Sequence, residues 1–104
     1  MNGRCYLDKK LVKALKERSM GLCEVCGRPA TEIHHVFEGN GRRKQTERLE
    51  TIKDLCYECH RGNNGVHFNK ELDLKLKKQS QRELERQGYT IDEVREIVGG
   101  KYYV

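Results

Sequence analysis

Two Cys-x-x-Cys pairs, Cys23-Glu24-Val25-Cys26 and Cys56-Tyr57-Glu58-Cys59, carry the strongest chemical signal in this chain. Four thiolates spaced in this way suit one tetrahedral structural zinc, with each pair supplying two ligands from a single turn. The second pair runs on into His60, and Cys-x-x-Cys-His is also the attachment motif of a c-type haem. A third use, as two independent redox dithiols, asks for a βαβ setting that surrounds neither pair. The opening stretch MNGRCYLDKKLVKALKER is polar and basic, without the apolar segment of an export signal. The expectation is therefore a cytoplasmic protein, where paired cysteines bind metal more often than they form disulfides and where haem is not attached. No membrane partner is expected, since no apolar run is long enough to span one. Cys5 is left over as a bystander.

If the four cysteines saturate one zinc, the four histidines are available for a second task. His34 and His35 are adjacent, His60 follows Cys59, and His67 comes seven residues later. Hydrolysing a phosphodiester needs an activated water, a cation facing the non-bridging oxygens and something to stabilise the leaving alkoxide. An imidazole with an ordinary pKa near 6.5 is largely neutral at pH 7, so it can accept a proton or hold a borderline divalent ion. Nitrogen ligands without an obvious carboxylate point to manganese, nickel or zinc, while magnesium would need substrate phosphate and water to complete its shell. Neighbouring residues on an ideal strand point to opposite faces. His34 and His35 can serve one phosphate only where the strand twists or ends, and Gly39 and Gly41 mark such a place.

The charge balance favours a polyanionic partner over an acidic-surface one: 21 Lys and Arg face 16 Asp and Glu, a net charge of +5 with a pI near 9.0. Arg42, Arg43 and Lys44 form a cationic loop in the run GRRK, and Arg61 and Lys70 are weaker candidates for phosphate contacts. Such contacts position a backbone and read little sequence.

The elements that must place these residues are readable in outline. Asp8 caps a first helix with Leu7, Leu11 and Leu15 on one face, ended by Gly21. GLCEVCGRPA is a Cys turn, TEIHHVFEG a strand, RLETIKDLC its return strand, and LCYECHRG the start of a short helix interrupted by Gly62 and Gly65. Asn69 caps a long helix to about Gln87, with Leu72, Leu76 and Leu84 as its stripe and Gly88 as its stop. Thr90 to Glu93 has capping-box spacing, and Ile91, Val94, Ile97 and Val98 give the last helix a buried face. With 36% hydrophobic residues, 36% charged residues and no Trp in 104 residues, the core is thin and calls for a metal staple.

Over about Leu22 to Asn69, the run CEVCG…IHHV…LCYECH…H resembles the HNH, or ββα-metal, endonucleases. The resemblance implies a two-stranded hairpin and a helix that clamp one catalytic divalent metal over a scissile phosphate. His34 and His60 would be metal ligands and His35 the general base. His67 or Asn64 would complete the set, and His67 is preferred because imidazole binds such metals better than a neutral amide. The asparagine usual nine residues before the closing histidine is replaced by Thr51, which can make only part of its hydrogen-bond set. HHVFEGNGRRK and GNNGVHFNKELDLKLK are similar, more narrowly, to phage-encoded, recombination-associated, RecA-dependent (Ref-like) nucleases. That implies the cytoplasm of a bacterial host and a RecA-like recombinase filament as a candidate partner. The expectation is one α+β domain over residues 1–104: a ββα-metal core stapled by a four-cysteine zinc site, an N-terminal helix and two C-terminal helices. Its activity would be metal-dependent DNA cleavage, with a non-catalytic zinc-ribbon-like DNA-binding module as the alternative.

Overall fold

In the computed structural model, which describes residues 8–37 and 48–104, each helix begins where a side chain satisfies an orphan backbone N–H. The Asp8 carboxylate accepts from Lys10 N at 3.1 Å and opens α1, Lys9–Ser19. Met20 closes it in the left-handed conformation (φ 58°), and its N–H bonds Lys16 O. The chain then enters the first Cys turn, where Leu22 bridges Pro29 and Gly27 adopts φ 84°.

Strands β1 (Glu32–His35) and β2 (Ile52–Leu55) form a two-stranded antiparallel sheet in which Glu32 faces Leu55 and His34 faces Lys53. The return strand expected from Arg48 onward is shorter than that, because Leu49–Thr51 is a single 3-10 turn. Thr51 explains the difference. Its hydroxyl accepts from Arg48 N and donates to Arg48 O, both at 3.1 Å, so a local bond set replaces the strand ladder. The Thr51 carbonyl then accepts from Val36 N at 2.9 Å and closes the mouth of the hairpin.

Cys56 caps α2, Tyr57–Arg61, with its sulfur accepting from Cys59 N at 3.4 Å. The chain then doubles back over this helix, and Val66 N bonds Cys59 O at 2.7 Å. A Cβ on Gly62 or Gly65 would lie 2.6 Å from the Glu58 carbonyl oxygen, so only glycine permits the close return. Asn69 caps α3, Lys70–Arg86, and Thr90 with Glu93 forms the reciprocal capping box of α4, Ile91–Ile97.

The apolar core gathers Val36, Phe37, Leu55, Val66, Leu76, Leu84, Val94 and Val98 around buried Cys23 and Cys56. Ile91 is not part of it: as the first residue of α4 it is 51% exposed, and Val94 and Val98, one turn apart, carry the buried face. Charge supplements this small core. Asp54, fully buried on β2, accepts from Ser19 Oγ at 2.7 Å and from Lys16 Nζ at 2.8 and 3.0 Å. The Arg18 guanidinium grips both oxygens of Glu24 at 2.7 and 2.9 Å, and it donates to the carbonyls of Leu49 and Ile52 at 2.7 Å each. Glu24 in turn accepts from Asp54 N at 2.8 Å. Together these bonds tie α1, the first Cys turn and β2 into one block. At the C-terminus, buried Gln81 clasps the backbone of Tyr103 with two bonds of 2.6 and 2.7 Å. No helix among the described residues is long and apolar enough to cross a membrane.

Candidate metal centres

The two Cys turns meet. The sulfurs of Cys23, Cys26, Cys56 and Cys59 all lie within 4.8 Å of one another, and Cys26 Sγ is 3.6 Å from Cys56 Sγ. Sulfurs about 2.3 Å from a tetrahedral zinc would be about 3.8 Å apart, so the group fits that ion with little adjustment. Backbone N–H groups already point at the sulfurs, from Val25 to Cys23 at 3.5 Å and from Cys59 to Cys56 at 3.4 Å. Burial works against a charge on Cys23, yet N–H groups of Cys26, Cys56 and Val25 bring its pKa down to about 6. Cys59 is pushed well up, first by burial and then by its sulfur neighbours. Crowded sulfurs without a counter-ion divide in this way, one ionising and another held neutral, and a bound dication would let all four ionise. This cluster can hold a structural metal such as zinc.

A second group forms from β1, α2 and the return loop. His34, His60 and His67 converge with ring centroids 5.0, 5.3 and 4.7 Å apart, and the Nε2 atoms of His60 and His67 are 3.0 Å apart. Each arrives by a different route: His34 from β1, His60 from α2, and His67 from the return loop that Gly62 and Gly65 make possible. His34 is 3% exposed, and its Nε2 is buried without a hydrogen-bond partner. Such an orphan is costly in a protein interior. Burial, reinforced by His60, His67, His35 and Lys77, lowers the His34 pKa to about 3, so the ring is neutral and its lone pair available. His60 Nδ1 is hydrogen-bonded to the Glu32 carboxylate, which also accepts from Arg61 Nε at 3.0 Å. That bond to His60 is the main cause of the lowered Glu32 pKa. It places the His60 proton on Nδ1 and turns the Nε2 lone pair toward the other two rings, the arrangement that metal-ligating histidines require. The three imidazoles therefore fit a divalent ion, on the grounds of the orphaned nitrogen and of the donor set itself. His34 and His67 open on a cleft of about 280 Å³ lined also by Val36, Val66, Asp73 and Lys77.

The remaining candidates are distributed unevenly. His35 is the last residue of β1, paired with Ile52 and half-buried, and it stands outside the three converging rings. The strand does end there, the condition under which neighbouring residues can serve one site. Arg61 is exposed but engaged by Glu32, while Asn64 and Lys70 are exposed on the return loop and at the start of α3. Arg42, Arg43 and Lys44, with Gly39, Gly41 and Cys5, lie outside the described residues. Sequence reasoning missed Glu32, Asp73 and Lys77. Glu32 had a signal, since it stands two residues before His34 and a strand puts both on one face. A larger cleft of about 390 Å³, between the 3-10 turn and α3, is lined by Arg18, Lys53 and Glu83 and contains none of the metal-ligand candidates. No family model, curated protein or solved structure matches this chain, so its function has to be read from the two clusters.

Proposed function

We propose that the protein is a metal-dependent endonuclease of the HNH type, hydrolysing DNA phosphodiester bonds. The observation that carries this reading is the convergence of three imidazoles, from a hairpin strand, the helix after it and its return loop, on a buried nitrogen without a partner. A divalent ion held there would face the non-bridging oxygens of a phosphodiester and stabilise the leaving alkoxide. His35, at the end of the strand, accepts the proton of the attacking water. Glu32 holds the His60 tautomer, and the four-cysteine zinc fixes α2, from which both Cys59 and His60 project. Arg42, Arg43 and Lys44 grip the DNA backbone, and Arg61 supports them. The likeness of the runs around His34 and His67 to phage-encoded, RecA-dependent nucleases extends the proposal to DNA recombination in a bacterial cytoplasm.

The test is to incubate the parent, His34→Ala and His35→Ala with plasmid DNA and manganese, nickel, zinc or magnesium. His35→Ala loses most cleavage while keeping zinc content, melting temperature and DNA affinity, because a general base acts in the transition state and not in the fold. His34→Ala regains part of its activity as metal is raised, whereas no amount of metal rescues His35→Ala. Rescue of His35→Ala instead would reverse the two roles. The burial of His34 favours one other reading, a binding module in which the histidines hold a second structural ion. Such a module shifts plasmid and leaves it intact with every metal.

A further inference from the structure

The cleft beside His34 and His67 is lined also by α3, an element that supplies none of the three imidazoles. Two α3 residues face it, Asp73 and Lys77. The Lys77 ammonium is held from two sides. Asp73 pairs with it across one helical turn at 2.8 Å, and the Tyr103 ring lies beneath it with its centroid 5.1 Å away. Tyr103 is itself fixed, by the two bonds from Gln81 to its backbone and by its packing on Phe37, 6.0 Å between ring centroids. The C-terminal residues thus act on the cleft through one lysine side chain, which is only 20% exposed.

Lys77 lines the same cleft as His34 and His67, so an anion lying there would be attracted both by the ammonium and by a dication seated on the imidazoles. An ammonium is a compact donor suited to a phosphate oxygen.

We propose that Lys77, oriented by Asp73 and by the Gln81-anchored Tyr103, is a substrate-contacting residue that binds a phosphate of the nucleic-acid backbone at the cleft. The proposal rests on the nuclease reading for the identity of the anion, and it makes the C-terminal tail part of the substrate site.

The experiment compares the zinc-loaded parent with Lys77→Met and Lys77→Arg, using a fluorescein-labelled duplex oligonucleotide. Binding is followed by anisotropy over a range of salt without added divalent metal, and single-turnover cleavage is followed with manganese. Lys77→Met weakens binding and flattens the plot of log K against log salt by about 0.9, the loss of one duplex phosphate contact. Lys77→Arg, which keeps the charge, restores the slope. In cleavage, the methionine variant loses at least tenfold in rate at low DNA concentration, with zinc content and melting temperature unchanged. Should Lys77→Met melt early, Lys77→Gln, similar in length and polar, carries the same comparison. An unchanged slope in a folded variant, or failure of arginine to restore it, overturns the assignment of Lys77. A parent that binds without ever cutting, while the slope still falls in Lys77→Met, removes the nuclease reading and leaves the phosphate contact standing.

Discussion

Glu32→Ala tests whether the second cluster is organised as a metal site. The Glu32 carboxylate, 27% exposed, accepts from His60 Nδ1 and from Arg61 Nε. The two bonds differ in weight. The Arg61 side chain is 61% exposed, so that pair contributes at most about 1 kcal/mol. The His60 side chain is 7% exposed, and a charge-assisted bond to so buried a group contributes about 1.5–3 kcal/mol. Losing the orienting partner of a ligating histidine typically lowers metal affinity by about 10–100-fold. That factor corresponds to about 1.4–2.7 kcal/mol and agrees with the range for the His60 bond. Calorimetric titration of nickel or manganese into zinc-loaded protein should therefore show Glu32→Ala at least tenfold weaker than the parent. Glu32→Gln keeps an acceptor and should lose less than tenfold. Nitrogen-15 spectra provide a second readout: His60 carries its proton on Nδ1 in the parent and samples both tautomers in Glu32→Ala. Affinity within about twofold of the parent, with the tautomer demonstrably released, would refute the reasoning.

Further expectations concern the fold. Cys59→Ser should abolish the cooperative thermal transition, since metal binding supplies folding free energy that a small core cannot replace; a parent-like melt without bound zinc would exclude a structural four-cysteine site. Asp54→Ala leaves Ser19 and Lys16 without their shared acceptor, and because Lys16 is 44% exposed the cost should fall near the low end for a broken buried pair, about 3 kcal/mol by urea unfolding. A loss below 1 kcal/mol would show that α1 is held by apolar contacts instead. The His34 pKa falls from 6.5 unfolded to about 3 folded, so between these values the unfolded chain binds more protons and stability rises with pH. Between pH 7 and pH 5, without added divalent metal, the parent should lose about 2 kcal/mol more than His34→Gln, and parallel pH curves would contradict that burial cost.

Much of the architecture was legible because its signals are local. The caps at Asp8, Asn69 and Thr90 act within three residues, and the paired cysteines announce themselves by spacing. The expectation that His34, His60 and His67 share a site came from the family resemblance, which left Asn64 open as the alternative to His67; the structure brings the three imidazoles together. What escaped notice depends on register and on distant partners. Nothing near Asp54 in the chain shows that it will be buried beneath Lys16 and Ser19, about 35 positions earlier. Lys77 reads as one more charge on a charged helix until Tyr103 is placed beneath it. Ile91 kept the period of the last helix but is 51% exposed at its first position, while Val94, three residues on, is fully buried. Thr51 was read as making only part of an asparagine's hydrogen-bond set, and the bonds of its hydroxyl to Arg48 and of its carbonyl to Val36 depend on a local turn that spacing does not announce.

The closure made by Thr51 has a consequence for how this chain can vary. Because Val36 and Arg48 are both bonded to that one residue, the hairpin's ends are joined independently of whatever connects them. Loop-closure entropy grows slowly, by about 0.6 kcal/mol for each doubling of length. A connection of any length between Val36 and Arg48 thus adds only a small closure cost to the hairpin itself. The bonds at Thr51 therefore tie the end of β1 to the start of the return segment through local contacts of their own, beside the imidazole cluster and the four cysteines.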